Sequence, residues 1–179
     1  MKIFKIFLTI CLTLSLSWST LAAADEIDDY QISADDEISV IVFNETDLGV
    51  NKVRVSGNGT ISMPLLGQVE IEGHTVTEVE QKITTLLLDG YLKKPNVTVT
   101  ITEYRPFYIN GEVEKPGSYP YKKNLTVEKA VALAGGFTER ASRSTISLVS
   151  EKDKRFIKSV VLNDKINPGD VITISESFF

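Results

Sequence analysis

TVTEVEQKITTLLLDGYLKKPNVTVTIT, residues 75–102, changes its hydrophobic period halfway along. In the first half Val79, Ile83, Leu86 and Leu87 recur every three or four residues, the repeat of an amphipathic helix. Thr75 and Glu78 have the spacing of a capping box, in which each satisfies a backbone N–H at the helix start. Asp89-Gly90 supplies a stop signal and Lys94-Pro95-Asn96 a turn. The second half, Val97 to Thr102, alternates strictly, so its valines and isoleucine face a core while its threonines face solvent or a neighbour. A helix feeding a strand within 28 residues sets the class of everything around it.

Upstream, the turn-like Ala34-Asp35-Asp36 precedes the β-rich run Ile38 to Phe43. Lys52 to Ser56 alternates, Gly57-Asn58-Gly59 reads as a hairpin turn, and Thr60 to Met63 is expected to return as its partner strand. Met63-Pro64-Leu65-Leu66-Gly67 reads as a structural corner, and Val69-Glu70-Ile71 alternates again.

Downstream, Phe107 to Gly111 leads to Lys115-Pro116-Gly117-Ser118, where proline and glycine suit the two central positions of a type II turn. Tyr119-Pro120-Tyr121 is expected to return. Thr126 caps a short helix carrying Val127, Val131 and Ala134, which Gly135-Gly136 ends. Strands follow at 145–149, 156–161 and 171–174, the last after the turn Asn167-Pro168-Gly169-Asp170. The pattern predicts an α+β protein with mostly antiparallel sheets, divided near residues 103–105 into two units of about 75 residues. Units that small bury only about 60% of their unfolded surface, so they are expected to lean on each other or on further subunits.

The first two dozen residues differ in kind. Lys2 and Lys5 are followed by an uncharged apolar run from Ile6 to Leu21, then Ala22-Ala23-Ala24, then the acidic cluster Asp25, Glu26, Asp28 and Asp29. That is the pattern of a secretory signal peptide at residues 1–24, cleaved after Ala24. The alternative is an uncleaved anchor, but the run falls short of the ~20 residues a spanning helix needs. Cys11 lies too early in the run for lipidation. The mature chain has 17 basic and 24 acidic residues, a charge of −7, and neither cysteine nor tryptophan, so burial alone must hold it. An acidic chain without a basic stripe argues against nucleic acid as a partner.

A search for catalytic groups finds little. His74 is the single histidine, between Gly73 and Thr75, and suits a surface or capping role. G-x-S-x-G, P-loop and G-x-G-x-x-G motifs are all missing from the sequence. Asp35-Asp36 and Glu78/Glu80 are acidic pairs, but two carboxylates do glycosidase chemistry only across a cleft of the right width. The expectation is no catalytic residue, no metal and no cofactor.

The motifs resemble those of the bacterial polysaccharide biosynthesis/export family, whose known members form capsule translocons. The resemblance starts at Tyr30-Gln31-Ile32-Ser33-Ala34-Asp35-Asp36 and the strand to Phe43. It runs through Val53-Arg54-Val55, Gly59 to Val69 with its Pro-Leu-Leu-Gly corner, and Gly73 to Glu78, ending at Gly90-Tyr91-Leu92-Lys93-Lys94-Pro95-Asn96-Val97. The second unit resembles the soluble-ligand-binding β-grasp (SLBB) module. Its markers are Asn110 to Tyr119, Leu125-Thr126-Val127, Ala130, Ala134 to Thr138 and Asn167 to Ile172. Ala34 replaces the family's turn glycine, and Asn58 replaces an aspartate.

The resemblance implies a signal peptide at 1–24, an export domain at 25–103 with a mixed sheet and one helix, and a β-grasp domain at 104–179. Well-known members add further β-grasp copies and a C-terminal membrane helix. About five residues follow the last expected strand here, so the resemblance is to a short type without that helix. It implies a non-enzymatic periplasmic component of exopolysaccharide or capsule export at the inner face of the outer membrane. Such a component would be a ring of identical subunits or an adaptor that guides polysaccharide to an outer-membrane channel. The partners implied are polysaccharide, an inner-membrane polysaccharide co-polymerase and a separate outer-membrane β-barrel.

Two rival expectations accompany it. One is a periplasmic glycan-binding or sensing module, in which Tyr104, Tyr108, Tyr119 and Tyr121 stack on sugars. The other is a structural adaptor between envelope proteins. The residues that contact ligand are not assigned.

Overall fold

The computed structural model describes residues 30–151 and 153–177. The expected leader and its cleavage after Ala24 lie outside the described residues.

In chain order, β1 (Glu37–Val42) is followed by a 3-10 turn, Thr46–Leu48, and β2 (Val50–Arg54). β3 (Thr60–Met63) and β4 (Gly67–Glu70) lead to α1 (Val76–Leu88) and β5 (Val97–Glu103). Then come β6 (Phe107–Gly111), β7 (Gly117–Tyr119), α2 (Val127–Leu133), β8 (Ala141–Ser150), β9 (Asp153–Val160) and β10 (Val171–Glu176).

β2, β1 and β5 form an antiparallel sheet in that order. Ile38, Val40 and Val42 of β1 alternate inward and meet Val97 and Val99 of β5. α1 lies over them, burying Val79, Ile83 and Leu87, each worth about 1.5–3 kcal/mol of burial. Its start is the expected capping box: Glu78 N–H donates to Thr75 Oγ1 at 3.3 Å, and Thr75 N–H donates to Glu78 Oε2 at 2.7 Å. Leu86, expected inward, is exposed. It stands off the Val79–Ile83–Leu87 stripe, on the flank turned to solvent.

The expected pairing of the strands on either side of Gly57-Asn58-Gly59 is corrected. The turn is present, with Gly59 N–H donating to the Ser56 carbonyl at 2.8 Å and Gly59 at φ +72°. The strand before it, however, pairs with β1, and the strand after it pairs with β4. β2 carries a bulge, with Lys52 at φ +51°. Beyond its first bonds a turn does not oblige its flanks to stay laddered.

The second sheet has the order β7-β6-β10-β8-β9. β6 and β10 run parallel and the other neighbours antiparallel, so the mixed pairing sits here. α2 buries Val127, Ala130 and Val131 against a core that includes Phe107, Ile109, Ile146, Ile172 and Ile174. Thr126 caps it, accepting from Lys129 N–H at 3.4 Å. The expected type II turn at Pro116-Gly117 is also corrected. Gly117 is not left-handed and opens β7, whereas Gly111 takes φ +81°. A Cβ at Gly111 would run into the Ile174 carbonyl oxygen, so the close approach of β6 to β10 demands glycine there rather than at the turn.

The whole is α+β, with two apolar clusters, one drawn from residues between Ile32 and Ile101 and one from residues between Phe107 and Ile174. Among the described residues no helix is long and apolar enough to cross a membrane.

Candidate functional site: a buried junction and the groove beside it

Three buried polar residues stand out among the described residues, namely Asp36, Arg105 and Asp170, and all three lie where the two clusters meet. Asp36 is placed by a tight turn. Asp35 takes φ +69°, a conformation aspartate tolerates, and Asp36 N–H donates to the Ser33 carbonyl at 3.2 Å. Val55 N–H then holds the Asp36 carbonyl at 2.8 Å. The left-handed residue is Asp35, not Ala34, so alanine there imposes no backbone strain.

The Asp36 carboxylate accepts four hydrogen bonds. Oδ2 accepts from Tyr30 Oη at 2.6 Å, Ser33 N at 2.9 Å and an Arg105 terminal nitrogen at 3.3 Å. Oδ1 accepts from Arg105 N at 2.9 Å. Arg105 lies between β5 and β6, and its guanidinium reaches both ways. One terminal nitrogen donates to Tyr30 Oη at 2.7 Å, and Nε donates to Glu151 Oε2 at 2.7 Å, just after β8. Burial by itself lowers the Arg105 pKa. The Glu151 hydrogen bond, with the charges facing it, outweighs burial and leaves the pKa above its ordinary value. Burial, then the hydrogen bond to Asp36, pushes the Tyr30 phenol well above its usual range.

Asp170 anchors the other side. Its carboxylate accepts from Asn167 N at 2.8 Å and Glu151 N at 3.4 Å, and its carbonyl accepts from Tyr108 N at 2.9 Å. Burial raises its pKa despite those hydrogen bonds. Gly169 takes φ +82°, a conformation that favours glycine. A Cβ there would overlap the Glu151 carboxylate that Arg105 holds.

Two aromatic contacts complete the junction. Tyr104 meets Tyr30 edge-to-face at 5.0 Å and Tyr121 at 5.5 Å. Tyr104 also forms one wall of an open groove of about 460 Å³, whose other walls include Thr75, Thr77, Val99, Thr100 and Ile101. The groove therefore offers hydroxyls, an apolar floor and a phenol ring.

Of the four tyrosines considered for sugar stacking, Tyr104 and Tyr121 are brought together. Tyr119 instead stacks on Phe107 at 5.9 Å and donates its hydroxyl to the Lys115 carbonyl at 2.6 Å. Tyr108 is about half exposed on β6. His74 is half-buried, with Nδ1 3.0 Å from the Glu72 carbonyl. The acidic pairs divide their labour. Asp35 is exposed while Asp36 is buried, and Glu78 caps α1 while Glu80 accepts Val99 N–H at 2.8 Å. The sequence reading did not single out Tyr30, Asp36, Arg105, Glu151 and Asp170 as one cluster. The available signal was an arginine placed between two apolar strands.

Chemically the junction is a clamp. The Asp36 carboxylate accepts four hydrogen bonds, and the Arg105 guanidinium bonds to Asp36 and Tyr30 on one side and to Glu151 on the other.

Comparison with known proteins adds an independent line. A family model described as polysaccharide biosynthesis/export protein matches residues 24–102, and a model of the SLBB domain matches residues 106–155. The exopolysaccharide production protein ExoF of Rhizobium meliloti (strain 1021) is 33% identical over 193 residues, covering 94% of this chain and 45% of that protein. The EPS I polysaccharide export outer membrane protein EpsA of Ralstonia solanacearum is 29% identical over 123 residues, covering 66% of this chain and 32% of the relative. EpsA of Ralstonia nicotianae (strain ATCC BAA-1114 / GMI1000) is 24% identical over 170 residues, covering 80% of this chain and 44% of the relative. The chain thus spans less than half the length of the curated relatives it matches.

Proposed function

The chain belongs to the polysaccharide biosynthesis/export protein family, and from that premise we propose that it is a non-enzymatic periplasmic component of an exopolysaccharide export machine. In this reading residues 25–103 and 104–179, freed from a leader cut after Ala24, form a subunit of a homo-oligomeric ring or adaptor. The ring sits against the inner face of the outer membrane. It takes polymer from an inner-membrane polysaccharide co-polymerase and passes it to a separate outer-membrane β-barrel.

One observation carries the reading: the Asp36–Arg105–Glu151 clamp ties the two β-rich modules to each other. A closed ring requires each subunit to be a rigid wedge, because closure depends on a constant rotation between neighbours. A buried charged pair is weak support for stability but well suited to specifying one arrangement. The relatives' names point the same way, since they describe production and export proteins.

The test is polymer secretion. Deleting the gene should leave polymer synthesis intact while secreted polymer falls, and the wild-type chain should restore secretion. Arg105→Met, expressed to the same level, should restore it poorly. Unchanged secretion in the deletion strain would end the proposal.

The groove at Tyr104 favours a second reading, a glycan-sensing module. NMR titration of short oligosaccharides decides it. Saturable shifts at Thr75, Thr77 and Tyr104 that Tyr104→Ala abolishes, in a chain whose loss leaves secretion intact, would favour the sensor.

A further inference from the structure

Most sheet edges in this chain are short, bulged or capped. β7 has three residues, while β3 and β4 have four each. β2 carries the Lys52 bulge, and β5 gives its Val99 N–H to the Glu80 carboxylate. These are the usual ways a protein blunts an edge against pairing with another chain. β9 differs. It is an outer strand of eight residues, bonded on one side to β8. Phe156 is 69% exposed and its neighbour Ile157 73% exposed. Adjacent strand residues point to opposite faces, so neither face of the ribbon is covered here. Lys154 and Lys158 flank the pair and are exposed, and Arg155 pairs with Asp153 in the same strand at 3.5 Å.

A surface of matching chemistry lies on the other module. The outward side of β1 leaves Ile41 55% and Phe43 65% exposed, followed by exposed Glu45 and Asp47. The charge imbalance extends to the modules as wholes. Residues 30–103 hold 11 acidic and five basic side chains, whereas residues 104–179 hold nine acidic and 12 basic. One module is therefore anionic and the other cationic. Each presents an uncovered apolar pair beside charges of its own sign.

We propose that β9 of one copy docks through its Phe156 face on the outward side of β1 in the next copy, Phe156 meeting Ile41 and Phe43, with Lys154 and Lys158, on that same face, opposite Glu45 and Asp47. The occupant is a second copy because the two patches are complementary to each other and belong to the same chain. Because they are different patches, the contact is head-to-tail, and it continues around a ring. This interface rests on the ring reading above and names the surfaces that build it.

The experiment uses the full chain, expressed in cells and recovered from them, in a Cys11→Ser background. Wild type should sediment as a concentration-dependent oligomer that loosens with added salt, since opposed surface charges are screened. Phe156→Glu should weaken association at least ~10-fold, as expected for loss of a central apolar anchor, with an unchanged melting temperature. Lys154→Glu/Lys158→Glu should weaken it too, and adding Glu45→Lys/Asp47→Lys to that chain should restore it. Phe43→Cys with Phe156→Cys should give a ladder of disulfide-linked species that neither single cysteine gives. An oligomer that survives Phe156→Glu and gives no ladder overturns this interface and leaves the ring standing. A wild-type chain that stays monomeric, with no ladder in cells, overturns both.

Discussion

The junction at Arg105 and the ribbon edge at β9 invert the ordinary division between inside and outside. At the junction charged groups are buried and hydrogen-bonded to one another. At β9 aromatic and aliphatic groups are exposed and uncovered. Buried charge is costly unless paired, and uncovered apolar area is costly unless it finds a partner. The first region is complete within one chain. The second is complete only if another surface covers it.

Four changes break or sharpen that contrast. The largest effect is expected from Arg105→Met. It leaves Asp36 buried without its counter-charge and should cost about 3 kcal/mol, measured by urea unfolding. Gly169→Ala comes next, at about 2 kcal/mol. It forces a left-handed alanine into the Glu151 carboxylate, and Arg105→Met made in the same chain should cost less than it does alone.

The third change is read as a pH dependence. Burial holds the Asp170 carboxyl above its ordinary pKa, so the folded protein binds that proton more tightly than the unfolded chain does. Its contribution is complete below the ordinary carboxylate value of about 4 and is lost as pH rises through the raised one. The stability difference between wild type and Asp170→Asn should therefore narrow as pH rises across that window. A difference that stays constant or widens would remove burial as the cause. The smallest effect is expected from Phe156→Ser, which should change monomer stability by no more than about 0.5 kcal/mol, because most of the ring is exposed.

Local structure was largely legible from the residues. The Thr75–Glu78 box, the Val79–Ile83–Leu87 stripe and the alternation from Val97 all appear where their periods put them. The polysaccharide export and SLBB motifs likewise carried the family. Pairing was less legible. Gly57-Asn58-Gly59 makes its turn, yet the strands it joins find other partners. Gly117 carries the residue pattern of a type II turn and opens a strand instead, because the left-handed position lies at Gly111, under the Ile174 carbonyl.

The junction was the least legible of all. Asp36 and Arg105 are 69 residues apart, Arg105 and Glu151 46 apart, and nothing periodic links them. Period, caps and turn residues act over a few neighbours, so the chain alone determined its helices, most of its strands, its α+β class and its family. Which strands share a ladder, which carboxylate meets Arg105 and which edge is left uncovered depend on contacts between residues distant along the backbone. Those contacts exist only after the apolar faces have packed, and so tertiary structure alone decided them.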